Sequence, residues 1–196
     1  MGDSFEMVVD VDVSVEDAEA KAKDVLEHLT SIGLIASEPT DDCVLSGLGH
    51  RPGEFISTLY KLEPGELPFW ELVTCGVESN AERNFNFWAV GPAFEGLTCP
   101  SCGSTVVRPE ESFMDAVGRA IGAWCKETTE PEVTCPNCSA GHSITRWVCR
   151  PPLGFGNLSF TFWNWPSLDS IAWRIDILGS ISAATGHRLV HTFGRL

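Results

Sequence analysis

An α+β fold with a mainly antiparallel sheet, two packed helices and an inserted zinc-ribbon-like subdomain is predicted by three observations. The chain begins and ends with an alternating strand pattern coupled to an apolar stripe of helical period. Between these lie short strand-like runs separated by Gly/Pro turns, at Phe55 to Leu62, Phe69 to Val77 and Phe85 to Val90. Third, two near-identical knuckles, Cys99-Pro100-Ser101-Cys102-Gly103 and Cys135-Pro136-Asn137-Cys138-Ser139, frame a module of their own. The expected division is a core of residues 1–98 and 150–196, interrupted by a ribbon at 99–149 that contains a helix.

The elements follow in order. Phe5, Met7, Val9, Val11 and Val13 alternate with Glu6, Asp10 and Asp12, the pattern of a half-buried strand with its carboxylates outward. Ser14-Val15-Glu16-Asp17 resembles a capping box. Val15, Ala18, Ala22, Val25, Leu26, Leu29 and Ile32 then form a buried stripe that ends at Gly33, and a strand follows at Leu34 to Ser37. At the other end Leu158 to Phe162 reads as a strand. A helix capped by Ser167 or Asp169 runs through Leu168, Ile171, Ala172, Ile175, Leu178 and Ile181 to Gly186, and Leu189 to Phe193 is a last strand. The two ends therefore share a β-α-β pattern without sequence identity between them.

The knuckles predict a metal. Two cysteines three positions apart on a tight turn aim both sulfurs at one ion, and two such turns close a tetrahedron. Proline occupies the same slot in each, and Gly103 supplies a residue free to take positive φ. The spacer of 32 residues from Gly103 to Thr134 exceeds the roughly 15–20 of simple sites, so a folded element must fill it. Phe113, Val117, Ala120, Ile121 and Trp124 supply a helical stripe, introduced by Pro109, Glu110 and Glu111. Strand-like runs follow each knuckle, at Ser104 to Val107 and Ser143 to Val148, and the segment resembles zinc ribbons. Cys99, Cys102, Cys135 and Cys138 are the expected ligands of a structural zinc. The alternatives are two disulfides or four free thiols; in a reducing compartment this spacing favours metal. Four thiolates leave no open position, so this metal is expected to stabilise and not to react. Cys149 and His142 lie close enough to compete as ligands and rank below the four sulfurs. Cys43, Cys75 and Cys125, like Cys149, read as buried free thiols among apolar neighbours.

Composition bounds the function. A 43% hydrophobic content supports a sizeable core. The first residues lack the basic and apolar regions of a signal peptide, and no apolar run approaches the roughly 20 residues that span a bilayer, so a cytoplasmic protein is expected. The net charge of −14 is uneven: residues 1–98 hold 19 acidic and 5 basic side chains, whereas residues 99–196 hold 8 of each. Such a chain repels phosphate backbones, which argues against a nucleic-acid partner and suits solubility or docking onto a basic protein. Asp41, Asp42, Glu63, Glu66 and Glu82, in or beside expected turns, are the candidate partner-binding carboxylates.

No nucleophile elbow, P-loop, H-E-x-x-H or dinucleotide fingerprint occurs. The loop from Ser46 to Gly53 has glycines but no following apolar helix. Its His50-Arg51 pair is a candidate anion site, with loop hydrogen bonding as the alternative. Asp10 and Asp12 have a spacing that suits a divalent ion, and Asp41-Asp42 could add carboxylates, but a catalytic site would need a third ligand and a base that no residue marks out. His187 and His191 read as surface or cross-strand residues. Among the aromatics, Trp88, Trp163 and Trp165 are the ones expected to emerge from the core as protein-binding anchors.

In acidity, size and lack of a recognisable active site, the chain resembles the acidic bacterial immunity proteins that neutralise nuclease toxins, including partners of type VI secretion effectors. The resemblance implies a non-catalytic inhibitor in tight complex with a basic toxin. Zinc knuckles are not a hallmark of that group. Two other classes remain open: a zinc-ribbon adapter in a transcription or translation complex, using Arg108, Arg119, Arg146 and Arg150, and a small enzyme using the 46–53 loop. The partner's identity and a possible homo-oligomeric state are not encoded in any motif.

Overall fold

Burial on both faces, not one, distinguishes the first strand, β1 (Ser4–Asp10). The computed structural model describes residues 2–85, 95–107, 110–126, 130–150 and 152–196. The expected strand from Phe85 to Val90 falls mostly outside them, as do Trp88, Arg108 and Pro109. Phe5, Met7 and Val9 pack with Val11 and Trp163 on one face of β1, while Val8 joins the main core on the other. Glu6 and Asp10 point to that same inner face and are buried, which corrects their expected outward placement. The reason is topological. β1 is flanked by a strand on each edge within a six-stranded sheet, and a segment carrying Gly154 and Gly156 crosses the face that bears Val9. A Cβ at Gly156 would sit 2.1 Å from the Asp10 carbonyl oxygen, so only glycine permits that approach.

The partners of β1 are β12 (Leu158–Trp163) and β13 (Leu189–Arg195), both antiparallel to it. Beyond β12 come β4 (Gly76–Asn80), β3 (Gly49–Pro52) and β2 (Ile35–Thr40), again antiparallel at each step. Helices α1 (Ala18–Ser31) and α4 (Ile177–Thr185) pack together over the face carrying Val8, Val77, Leu158, Phe160 and Phe162. The fold is thus α+β and mainly antiparallel, as the patterns predict.

Local chemistry sets the helix ends. Ser14 Oγ donates to Asp17 Oδ2 (2.9 Å) and accepts from the Asp17 N–H (3.1 Å), and regular helix begins at Ala18. Gly33 and Gly186 both take left-handed backbone after α1 and α4. α4 starts at Asp176, whose carboxylate accepts from the Gly179 N–H at 2.8 Å, and not at Ser167 or Asp169. The stripe failed upstream because Trp165 and Trp173 are buried in an aromatic cluster instead, stacked at 5.8 Å, which leaves Ile171 fully exposed. Likewise the expected strand at Phe55 to Leu62 is the single turn α2 (Ile56–Leu59), followed by a bridge from Tyr60 to Trp173. The run from Phe69 opens as a 3-10 turn, Phe69–Glu71, before β4.

A second hydrophobic cluster gathers the module around the knuckles. α3 (Glu111–Lys126) buries the five residues of its predicted stripe against Leu97, Val133, Ile144 and Trp147. β6 (Gly96–Thr98) and β7 (Thr105–Val106) form a hairpin that β10 (Val148–Arg150) joins, and β8 (Glu132–Thr134) pairs with β9 (Gly141–Ser143). β11 (Phe155–Gly156) pairs with β5 (Asn84–Phe85). The cluster reaches beyond 99–149, to Leu97 and Phe155. The run from Ser143 to Val148 is not one strand: Ser143 Oγ accepts from the Thr145 N–H and turns the chain into a 3-10 turn at Ile144–Arg146.

Candidate metal centre

Each knuckle closes a hairpin of its own, β6–β7 around the first and β8–β9 around the second. Their backbones repeat bond for bond. The Cys99 N–H donates to the Ser104 carbonyl and the Gly103 N–H to the Cys99 carbonyl, both at 3.0 Å; the Cys135 and Ser139 N–H groups donate to Ala140 and Cys135 at 2.9 Å. Gly103 has φ +68° and Ser139 +60°, so a side chain occupies the left-handed slot in the second knuckle only. Ser139→Gly should therefore relieve strain and raise stability by about 0.5–1 kcal/mol, and Gly103→Ala should lower it by about 1 kcal/mol. Chemical denaturation of the two variants checks both signs.

The four sulfurs lie within 4.8 Å of one another. Cys99 and Cys138 approach to 3.8 Å and Cys102 and Cys135 to 3.9 Å. A disulfide needs about 2.05 Å, whereas a tetrahedral ion with bonds of about 2.3 Å places its sulfurs about 3.8 Å apart. The geometry therefore fits one metal ion and not two disulfides. Cys99 and Cys135 are buried, and Cys102 and Cys138 face solvent. His142 is not a ligand; its Nε2 meets Ser101 Oγ at 2.7 Å and ties the two knuckles together.

The turns favour thiolates. Hydrogen bonds from the Ser104 side chain and backbone lower Cys102 to about 6. For Cys135, burial is outweighed by N–H groups of Cys138 and Asn137, and its pKa falls. At Cys138 the Ala140 N–H favours the anion, but partial desolvation within the knuckle and the protons shared with the neighbouring thiols prevail and push it up to about 12. Among the other thiols, burial raises Cys75 to about 12 and Cys149 to about 11, which marks them as inert.

Asp41, Asp42, Glu63, Glu66 and Glu82 are all exposed. Asp42 is held by Arg51 at 3.0 Å and by Thr40, and these hydrogen bonds lower its pKa. Glu63 meets Lys61 at 3.3 Å, and Glu66 accepts from the Glu63 N–H at 2.9 Å. The expected 46–53 loop is in part strand β3, which carries both His50 and Arg51; His50 Nδ1 lies 2.8 Å from the Ala36 carbonyl on β2, so both members of the pair are engaged within the fold.

What sequence reasoning missed is a pair of buried carboxylate–imidazole contacts. Asp10 Oδ2 meets His187 Nδ1 at 2.9 Å, and Glu6 Oε2 meets His191 Nε2 at 2.6 Å. Asp10 Oδ1 also accepts from the N–H groups of Asp12 and Val13, each at 3.0 Å. Ser167 Oγ reaches the carboxylate of Glu6 and not the imidazole, so these three side chains do not form a nucleophile–base pair. The available signal was the four-residue spacing shared by two carboxylates on β1 and two histidines, His187 just before β13 and His191 within it. Trp163 is half-buried with its indole N–H on Glu78 (3.0 Å), and Trp165 is buried.

Comparison with protein families, with curated proteins and with solved structures gives no match. Among the described residues no helix is long and apolar enough to cross a membrane.

Proposed function

We propose that this chain is a non-catalytic binding protein, built around a structural zinc ion on Cys99, Cys102, Cys135 and Cys138, that acts as a cytoplasmic immunity protein against a basic toxin such as a secreted nuclease effector. The observation that carries the reading is the confinement of the acid excess to residues 1–98, away from a four-sulfur cluster that reserves no coordination position for substrate. Zinc suits four thiolates, tetrahedral geometry and a closed site. The acidic half steers a basic partner and competes with nucleic acid for its surface.

Affinity capture from the native cell with mass spectrometry tests this. A basic nuclease recovered near stoichiometry, and relief of its toxicity by this chain, supports the proposal. Reversing Asp41, Asp42, Glu63 and Glu66 together should slow association with that partner at least about tenfold at low salt. Recovery of transcription or translation components would overturn it in favour of an adapter that uses the exposed Arg119, Arg146 and Arg150.

The metal assignment has its own test. Bound thiolates must shed their protons, Cys138 above all, so zinc binding should release protons at neutral pH and weaken as pH falls through neutrality, more steeply below about 6, where Cys102 protonates as well. Calorimetry in buffers of different ionisation enthalpy measures the release. Zinc binding with no proton release would contradict the four-thiolate assignment.

A further inference from the structure

Among the described residues, three large apolar side chains are left outside the core in one short stretch. Leu67 is 83% exposed, Val73 77% and Leu72 45%, all within seven residues. Soluble chains seldom expose such groups together unless something covers them. The stretch is not loosely held. Between its exposed residues Phe69 turns inward, packing edge-on against Tyr60 at 5.4 Å and Trp173 at 5.9 Å, and tilted against Trp165 at 5.3 Å. Trp70 packs edge-on against Phe69 at 5.1 Å. The wall behind is laced by backbone bonds from the Lys61 N–H to the Ala172 carbonyl and from the Arg174 N–H to the Leu59 carbonyl, each 2.9 Å. The lacing leaves the neighbouring Ile171 fully exposed.

Charge indicates what this surface accepts. Between Lys61 and Arg83 the chain carries Glu63, Glu66, Glu71, Glu78 and Glu82 and no basic residue. Lys61 is already committed to Glu63. Glu63, Glu66 and Glu71 are exposed along the same stretch as Leu67, Leu72 and Val73. A rigid aromatic base, protruding aliphatic anchors and a carboxylate rim form the anatomy of a protein-binding patch whose partner is cationic at the edge and apolar at the centre.

We infer that the segment from Glu63 to Val73 is the docking surface of this protein, and that its partner offers a basic surface with an apolar anchor that meets Leu67 and Val73. This rests on the binding-protein reading but not on the partner being a toxin. It also shifts weight from Asp41, Asp42 and Glu82 to apolar residues that charge alone does not indicate.

The test uses two peptides of equal length and charge, one of Lys interspersed with Leu and one of Lys interspersed with Ser, titrated into the isotopically labelled full chain by NMR. The Lys/Leu peptide should shift the amides of Leu67, Leu72 and Val73 and the indole N–H of Trp70, and should bind at least about tenfold tighter than the Lys/Ser peptide. Leu67→Ser with Val73→Ser, which keeps every carboxylate, should abolish that difference. Equal affinity of the two peptides, or shifts centred on Asp41 and Asp42 or on a cavity elsewhere, lined by Ala22, Leu26 and Ala81, would overturn the inference. Concentration-dependent shifts of the same residues without peptide would assign the patch to a second copy of this chain instead. The toxin reading fails separately, on the identity of the protein captured from cells.

Discussion

Cys99→Ser should leave the five-strand-and-helix module around the knuckles unfolded while the six-stranded sheet survives. Structural zinc binding contributes on the order of 10 kcal/mol to small modules, and binding free energy there is folding free energy. Cys99 is buried, and its sulfur stands 3.8 Å from Cys138, so a hydroxyl at this place replaces an anionic ligand with a poor one inside the cluster. The apolar residues divide into separate clusters, with Leu97, Trp124, Val133 and Trp147 in one and Val8, Leu158, Phe160 and Ile177 in another. Loss of the ion should accordingly be felt unevenly. Hydrogen exchange should show protection lost at Leu97 and Val133 and kept at Val8 and Phe160, with less than about a tenth of an equivalent of zinc by elemental analysis. A Cys99→Ser protein with full zinc content and unchanged exchange would refute the assignment, and chelator treatment of the unaltered protein should reproduce the variant's pattern.

The second large effect is expected at Asp10. Its side chain is fully buried and serves three donors, the N–H groups of Asp12 and Val13 and the Nδ1 of His187. Asp10→Ala strands these groups beneath the chain where it leaves β1. A buried donor left without its acceptor costs about 1–3 kcal/mol. A loss of about 3 kcal/mol, or roughly 10 °C in Tm, is expected. Asp10→Asn keeps an acceptor and should lose about half as much. Urea unfolding measures both, and an alanine variant within about 0.5 kcal/mol of the parent would show that water serves these donors equally well.

Where a residue's role depends only on near neighbours in the chain, it was legible in advance. The knuckles, the α3 stripe and the Gly186 cap are of this kind, since turn geometry and a 3.6-residue period are local. Glu6 and Asp10 were misplaced because their burial depends on His187 and His191, about 180 positions away, and a polar residue in an alternating pattern reads as outward unless its distant partner is known. Ile171 and Leu168 suggested an early helix start by the same local logic, and the pull of Tyr60 and Phe69 on Trp173 overrode it. The aliphatic exposure of Leu67 and Val73 was invisible for the converse reason: nothing in a run of apolar residues says which of them will find no cover.

The pairing of β1 with β12 and β13 also sets an order of events during synthesis. Phe5, Met7, Val8 and Val9 find their strand partners only once residues 158–163 and 189–195 have emerged from the ribosome. Such distant closure is slow, and until it happens an apolar strand stands open to other chains. The knuckle module draws its neighbours from the chain between about 83 and 155, Arg83 and Phe85 included, so it can bind the proposed ion and fold while the sheet is still waiting. Protease protection of ribosome-bound chains halted with residue 157 just clear of the exit tunnel should then be zinc-dependent and confined to that module, with the N-terminal strand still open to cleavage.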